Sequence, residues 1–260
     1  MEVPKIIFIV PYRDREQQKE FFKSHMKQIL ADYNPNDYKI YLCHQCDNRS
    51  FNRGAMKNIG FLAMKQKYPD SYRDITFVFN DIDTMPYNKN FLNYKTTLGT
   101  IKHFYGYEFA LGGIVSISGQ DFERMNGFPN YWTWGYEDNL LNIRAKEAGI
   151  HIDRSQFYKI MDKNIMQLKD GLERIVNKKE FDRYVSKTNE GIASIQNLHY
   201  EMDEINGMIN VRNFFTEFVE DKKYTKIHDL RNGSQPFTPG QPKMNQFKRG
   251  ANASMKMVIQ

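Results

Sequence analysis

Ile75-Thr76-Phe77-Val78-Phe79-Asn80-Asp81-Ile82-Asp83 is an apolar run of strand length that ends on two aspartates spaced i, i+2. A continuous apolar run is the pattern of a strand covered on both faces, as in a parallel sheet with helices on either side. Carboxylates at the mouth of such a strand can present hard oxygens to Mn²⁺ or Mg²⁺, which in turn neutralise a diphosphate. The same pair also serves as an ordinary strand-ending turn.

The chain before it repeats the pattern. Ile6-Ile7-Phe8-Ile9-Val10 is a second unbroken apolar strand, followed by Pro11-Tyr12-Arg13-Asp14-Arg15. Arginines at the carboxyl end of a first buried strand stand where α/β sheets bind nucleotides, and two arginines are equally unremarkable in a solvated loop. Glu16 to Leu30 has the spacing of an amphipathic helix, with Phe22, Met26, Ile29 and Leu30 on one face. Tyr38 to Leu42 makes a further strand, and the segment after Phe51-Asn52-Arg53 a helix packed through Met56, Ile59, Gly60, Ala63 and Met64. Strand-helix-strand-helix order specifies a right-handed βαβ sheet.

Beyond the aspartates, Leu111 to Ser118 is a small-residue strand, and Gly112-Gly113 admits a close backbone or ligand. Ser118-Gly119-Gln120-Asp121 opens a short helix to Met125. Trp132-Thr133-Trp134-Gly135-Tyr136-Glu137-Asp138 then puts both tryptophans of the protein directly before a carboxylate pair. Leu140, Leu141, Ile143 and Ala148 continue at helical spacing to Gly149, so Glu137 and Asp138 fall in a first turn, where amides and dipole favour an ionised carboxylate. An ionised Asp beside broad aromatic surface suits a general base on a sugar hydroxyl, and an acidic helix cap beside two core tryptophans has the same sequence. A strand at Ile150 to Asp153, a Lys-rich polar loop from Lys159 to Lys179, and strands at Leu198 to Met202 and Ile209 to Phe218 complete the body.

At 260 residues, 40% hydrophobic and 14% aromatic, the chain can bury a substantial core. Its net charge of +6 is carried entirely by residues 221–260, with eight Lys/Arg against two Asp/Glu; residues 1–220 balance at 29 each. A neutral body argues against a nucleic-acid partner. A single catalytic domain is therefore expected over 1–227, followed by a basic, flexible C-terminal tail over 228–260. No apolar run approaches the ~20 residues of a membrane span, and Cys43 and Cys46 form a lone C-x-x-C, excluding a disulfide framework.

Taken together, the motifs resemble the β-1,4-galactosyltransferase family, inverting enzymes of the GT-A type. Pro11-Tyr12-Arg13-Asp14-Arg15 is similar to the family's P-F-R-N-R, and Phe51-Asn52-Arg53 with Asn58-Ile59-Gly60-Phe61 to its F-N-R and N-V-G-F. Phe77 to Asp83 is similar to F-V-F-S-D-V-D, followed by the same proline at Pro86. Gly112-Gly113, Asn126-Gly127-Phe128-Pro129-Asn130, Trp132 to Asp138 and Phe181-Asp182-Arg183 resemble G-G-V, N-G-F-P-N, W-G-W-G-G-E-D and F-D-R.

The resemblance covers about residues 5–215 and implies a GT-A-like nucleotide-sugar-binding α/β fold with a mostly parallel central sheet flanked by helices. It implies transfer of galactose or N-acetylgalactosamine from UDP-galactose or UDP-N-acetylgalactosamine to a hydroxyl of an acceptor glycan or glycoconjugate. Pro11, Arg13, Arg15, Phe51, Arg53, Asp81, Gly113 and Trp134 would bind the donor. Asp138 would be the general base and Glu137 would position sugar hydroxyls. Trp134, Asp138 and Phe181 would meet the acceptor, with Trp134 and the Gly135 hinge forming a short lid.

Mn²⁺, or Mg²⁺, would be held by Asp83, Met161 and Asn164, the last standing where the family has histidine; His151 would be a substitute or, on an apolar strand, a structural residue. Ala110 falls where galactose enzymes carry tyrosine, which leaves room for an N-acetyl group. Lacking the family's anchor and disulfides, the chain reads as cytoplasmic, or from the Golgi lumen if it is an excised domain. The competing reading is a non-catalytic sugar-binding protein on the same fold.

Overall fold

The unbroken apolar run at the amino terminus forms strand β1 (Ile6–Tyr12), buried along its whole length. Its alternate side chains feed two cores. Ile7 and Ile9 join Tyr41, Cys43, Phe77 and Phe79 on one face of the sheet, and Ile6, Phe8 and Val10 join Leu42 and Val78 on the other. A strand that must be apolar on both sides gives no alternation, which is the pattern read from the sequence.

The computed structural model describes residues 2–168 and 171–238. After β1 come α1 (Glu16–Ile29), β2 (Tyr38–Gln45), α2 (Arg53–Lys67) and β3 (Thr76–Asn80). The chain continues through β4 (Thr84–Pro86), β5 (Thr100–Gly106), β6 (Ile114–Ser118), α3 (Gly119–Arg124) and α4 (Glu137–Glu147). Then follow β7 (His151–Asp153), β8 (Tyr158–Lys159), β9 (Ile165–Gln167), β10 (Glu173–Asn177), α5 (Lys178–Val185), β11 (Gln196–Asp203), β12 (Met208–Phe215) and β13 (Thr225–Asp229).

The main sheet runs β11-β12-β2-β1-β3-β6-β5-β7, with β8 also on β5. Its centre is parallel, β1 pairing with both β2 and β3 and β12 with β2. β6 enters antiparallel between β3 and β5. Because β1 and β3 are parallel and adjacent, the loops after Tyr12 and after Asn80 open on the same sheet edge. That edge is where open α/β sheets bind ligands.

Three expectations change. The Lys159 to Lys179 stretch contains the end of β8, all of β9 and β10 and the start of α5, and its short strands lack the apolar runs that announce a buried strand. β5 was not visible in the sequence, because Thr100, Lys102 and His103 interrupt its apolar positions. The tail boundary expected at 228 falls inside β13, which pairs antiparallel with β10, Ile175 opposite Ile227. Most of the expected tail, residues 239–260, lies outside the described residues.

Helix α2 is attached to the segment that precedes α4 by buried amides. Asn52 caps the helix by accepting the Ala55 N–H at 2.8 Å and donates to the Asn130 carbonyl at 3.0 Å. Asn58 donates to the Phe128 carbonyl at 2.7 Å and to Asn130 Oδ1 at 2.9 Å, and accepts the Phe128 N–H at 3.0 Å. An Asn58→Ala variant strands three buried partners and should lose about 2–4 kcal/mol of stability. Thermal melting should fall by roughly 5–10 °C; a melt within a degree of the parent would contradict this account of the attachment.

Candidate active site

At the carboxyl edge of β1 and β3 the site is organised by Arg53, the first residue of α2, whose side chain is a quarter exposed. Its Nε donates to Glu137 Oε1 at 2.8 Å, its Nη1 to Asp81 Oδ2 at 3.0 Å and its Nη2 to Asp138 Oδ2 at 2.5 Å. Burial alone would lower the guanidinium pKa, and the charges of Asp138, Asp81 and Glu137 more than reverse that, holding it well above the usual arginine value. Burial pushes the Asp81 carboxyl upward, but Arg53, Lys57 and Arg15 outweigh it and leave it below the ordinary range.

Glu137 sits deeper, 3% exposed. Burial and the Asp138 charge raise its pKa against the pull of Arg53. Its Oε2 is buried and has no hydrogen-bond partner among the described residues. Asp138 is placed by the glycine pair: a Cβ on Gly112 would lie 2.3 Å from Asp138 Oδ2, and the Leu111 N–H donates to the Asp138 carbonyl at 2.9 Å. At Gly113, φ is +70°, and its carbonyl accepts the Asp81 N–H at 2.9 Å. Ala110, 6% exposed, is two residues from the glycine that touches Asp138.

Asp83 lies beside this group, with Oδ2 3.2 Å from Arg15 Nη1 and Oδ1 accepting the Thr84 hydroxyl at 3.0 Å. Burial and the neighbouring Asp81 charge raise its pKa despite Arg15. Arg13 lies over the Phe51 ring at 5.4 Å and donates to the Arg49 carbonyl, and Pro11 is buried in β1. Pro11, Arg13, Arg15, Phe51, Arg53, Asp81 and Asp83 thus gather at one sheet edge. Arg53, however, spends its fork on carboxylates.

The metal set is corrected in part. Asp83 O accepts from Leu168 N and the Tyr87 N–H donates to Asn164 O, with Thr84 to Pro86 paired to Gln167 to Ile165 between them. Asn164 is therefore four ladder positions from Asp83, about 13 Å along a strand, and its amide bonds to Asp162 instead. Met161 is 64% exposed with φ +69°, its N–H on the Tyr105 hydroxyl, which also reaches Gln167. His151 is exposed on the sheet-edge strand β7 and pairs with Thr100. Among the described residues no three His, Cys, Asp or Glu side chains form a metal cluster. The donors that remain, Asp83 with Asp81 at its side, fit a cation that takes its other ligands from phosphate and water. The buried Asp81 Oδ1, which lacks a hydrogen bond, and the raised pKa of Asp83 mark a place where positive charge is favoured.

The tryptophan segment is tethered rather than loose. Trp132 is a core residue, stacked on Phe214 at 5.5 Å with its indole N–H on the Phe218 carbonyl. Glu180 accepts from the Trp132 and Thr133 amides at 2.7 and 3.0 Å and from the Thr133 hydroxyl. Trp134 is half-buried, its N–H on the Ile175 carbonyl. Gly135 and Tyr136 have φ +103° and +71°, and nothing lies within 4 Å of a Cβ on Gly135, so the backbone turns there in open space. The Phe181 ring is 4% exposed, covered by Tyr136 and Phe237 at 4.9 and 5.4 Å, so it is packed inside rather than presented to a ligand.

Two residues escaped the sequence reading. Lys57, one turn after Arg53 on α2, is 2% exposed at its side chain, with Nζ 3.2 Å from Asp138 Oδ1. The i, i+4 spacing of Arg53 and Lys57 on an otherwise apolar helix face was the available signal. His103 is buried, donates from Nε2 to the Tyr105 and Gly112 carbonyls and accepts from Arg154 at Nδ1. Burial and the Arg154 charge pull its pKa to about 3, so it is a neutral brace for Gly112.

A nucleotide-sugar transferase of the GT-A class is the kind of protein this sheet edge and its carboxylates define. The fold matches the catalytic domain of Drosophila β-1,4-galactosyltransferase 7 bound to xylobiose, with TM-score 0.62 and 23% identity over 84% of this chain and 96% of that one. A point mutant of that enzyme bound to manganese, UDP-Gal and xylobiose matches equally. Two family models, the N-terminal region of glycosyl transferase group 7 and the N-terminal domain of galactosyltransferase, match residues 2–96 and 93–167. Human β-1,4-galactosyltransferase 4 is 31% identical over 163 residues, 58% of this chain and 45% of that protein. The Drosophila melanogaster β-1,4-galactosyltransferase 7 is 34% identical over 59% of this chain and 48% of its own length, and the xylosylprotein 4-β-galactosyltransferase of Caenorhabditis elegans is 31% identical over 58% and 53%. The matches thus span about half the length of the curated relatives. The chain belongs to the β-1,4-galactosyltransferase family. Among the described residues no helix is long and apolar enough to cross a membrane.

Glu180→Ala should free the tryptophan segment by leaving two main-chain amides without their acceptor. A loss of about 2–4 kcal/mol and a red shift of tryptophan emission are expected. Unchanged emission would show that the segment is held elsewhere.

Proposed function

We propose that the protein transfers galactose or N-acetylgalactosamine from a UDP-sugar to a hydroxyl of an acceptor glycan, with inversion at the anomeric carbon. The observation that carries this reading is the placement of the Asp138 carboxylate against Gly112, at the same sheet edge as Asp83 and the Arg13–Phe51 pair. Arg13 and Phe51 would hold the uridine end of the donor, and Asp83 would hold a divalent ion, Mn²⁺ or Mg²⁺. When bound, that ion supplies positive charge to the departing diphosphate.

Asp138 takes the acceptor's proton as its oxygen attacks the anomeric carbon from the side opposite the diphosphate, and UDP leaves with the bonding pair. Arg53 fixes the carboxylates that surround the reacting centre, and the unpartnered Glu137 Oε2 is the natural acceptor for a sugar hydroxyl. Half-buried Trp134 offers an indole face for a sugar ring. Xylobiose in the matched Drosophila enzyme is one acceptor class to try.

UDP release should be metal-dependent, lost with chelator, and reduced by about three orders of magnitude or more in Asp138→Asn. Turnover retained by that variant would favour a different base, and silence with every donor and acceptor would favour the sugar-binding alternative. A small Ala110 where the family's galactose enzymes carry tyrosine would leave room for an N-acetyl group, so UDP-N-acetylgalactosamine should be used at least as well as UDP-galactose. Ala110→Tyr should shift the ratio of kcat/KM toward galactose by about tenfold or more; no shift would remove Ala110 from donor choice.

A further inference from the structure

A lysine with its ammonium shut inside a protein is rare unless carboxylates surround it. Lys57 is such a residue: its Nζ is 3.2 Å from Asp138 Oδ1, 3.6 Å from Asp81 Oδ1 and 4.5 Å from the Phe128 ring centroid. Arg53 alone would leave three carboxylates, Asp81, Glu137 and Asp138, against one cation, so Lys57 supplies the second positive charge of the group.

The two oxygens of Asp138 are held differently. Oδ2 is fixed by Arg53 at 2.5 Å and packed against the Gly112 Cα, whereas Oδ1 has only the longer contact to Lys57. The charged groups facing Asp138 are Arg53 and Lys57 from α2, Asp81 after β3, bridged through both cations, and Glu137 on its own helix. The Leu111–Gly112 backbone brings a main-chain N–H and no charge. Of the two cations, Lys57 is the one without an ion pair to Glu137 among the described residues.

We propose that Lys57 is a positioning residue for the transfer reaction, fixing the rotamer of the Asp138 carboxylate that meets the acceptor hydroxyl. The inference rests on the reading of Asp138 as general base. In the transfer the acceptor proton passes to the Asp138 carboxylate, the acceptor oxygen bonds to the anomeric carbon, and the bond from that carbon to the diphosphate breaks with its electron pair leaving on UDP. Without Lys57 the Oδ1 side of that carboxylate loses its cationic contact, and the rotamer is held by Arg53 alone.

The test is a comparison of kcat and KM for metal-supported UDP release by the full chain and by Lys57→Met, Lys57→Arg and Asp138→Asn. Methionine keeps the unbranched stem and most of the volume without charge. Thermal melting checks folding first, and Lys57→Gln takes its place if the methionine variant does not fold. The uncharged variant should lower kcat by about tenfold or more while KM changes by less than about twofold, and Lys57→Arg should restore most of the parent kcat. An unchanged kcat, a loss confined to KM, or no rescue by arginine overturns the role of Lys57. Turnover by Asp138→Asn would instead overturn the reading of the base, which separates the two failures.

Discussion

Charge balance around Arg53 is the constraint on which the rest depends. A guanidinium at the first position of a helix stands at the wrong end of the dipole, an unfavourable placement by about 0.3–1 kcal/mol. It is accepted because carboxylates from two other elements converge on it, Asp81 after β3 and Glu137 and Asp138 at the head of α4. None of the three carboxylates would be comfortable there alone, and removing one partner from a buried pair costs about 3–5 kcal/mol. The pairing therefore ties the ends of three elements to a common point and makes the site part of the fold's own stability.

Neutral contacts set the geometry that the charges then use. The amides of Asn52, Asn58 and Asn130 bind α2 to the turn before α4, so the helix head arrives with its register fixed. Gly112 lets the Asp138 carboxylate lie against the backbone, and neutral His103 holds the Gly112 carbonyl from beneath. Specificity of position comes from groups that carry no charge, and reactivity from groups that do.

Much of this could be read from residues in order. Ile6 to Val10 and Thr76 to Phe79 announce strands buried on both faces, and the carboxylate pair Glu137-Asp138 falls in the first turn of α4 as its spacing requires. Long-range partners were less legible. Nothing local tells that Arg53 will meet residues 84 and 85 positions away, or that β4 and β9 will pair in a register that carries Asn164 away from Asp83. Lys57 was hidden because lysine in a helix ordinarily faces water. Phe181 was found by its motif, but its depth is set by Phe237, a residue distant in sequence.

Phe237 carries a practical consequence. Its main-chain carbonyl and N–H both engage the Tyr136 hydroxyl at 2.8 Å, while its ring covers Phe181. A segment that composition would assign to a dispensable tail is thus stitched to the residue that precedes the Glu137-Asp138 pair. Anyone trimming the gene for expression or crystallisation should place the stop codon after Phe237. A product ending at 227, the boundary composition suggests, would cut into β13 as well, and would expose an aromatic nest to the solvent and to its neighbours in the tube.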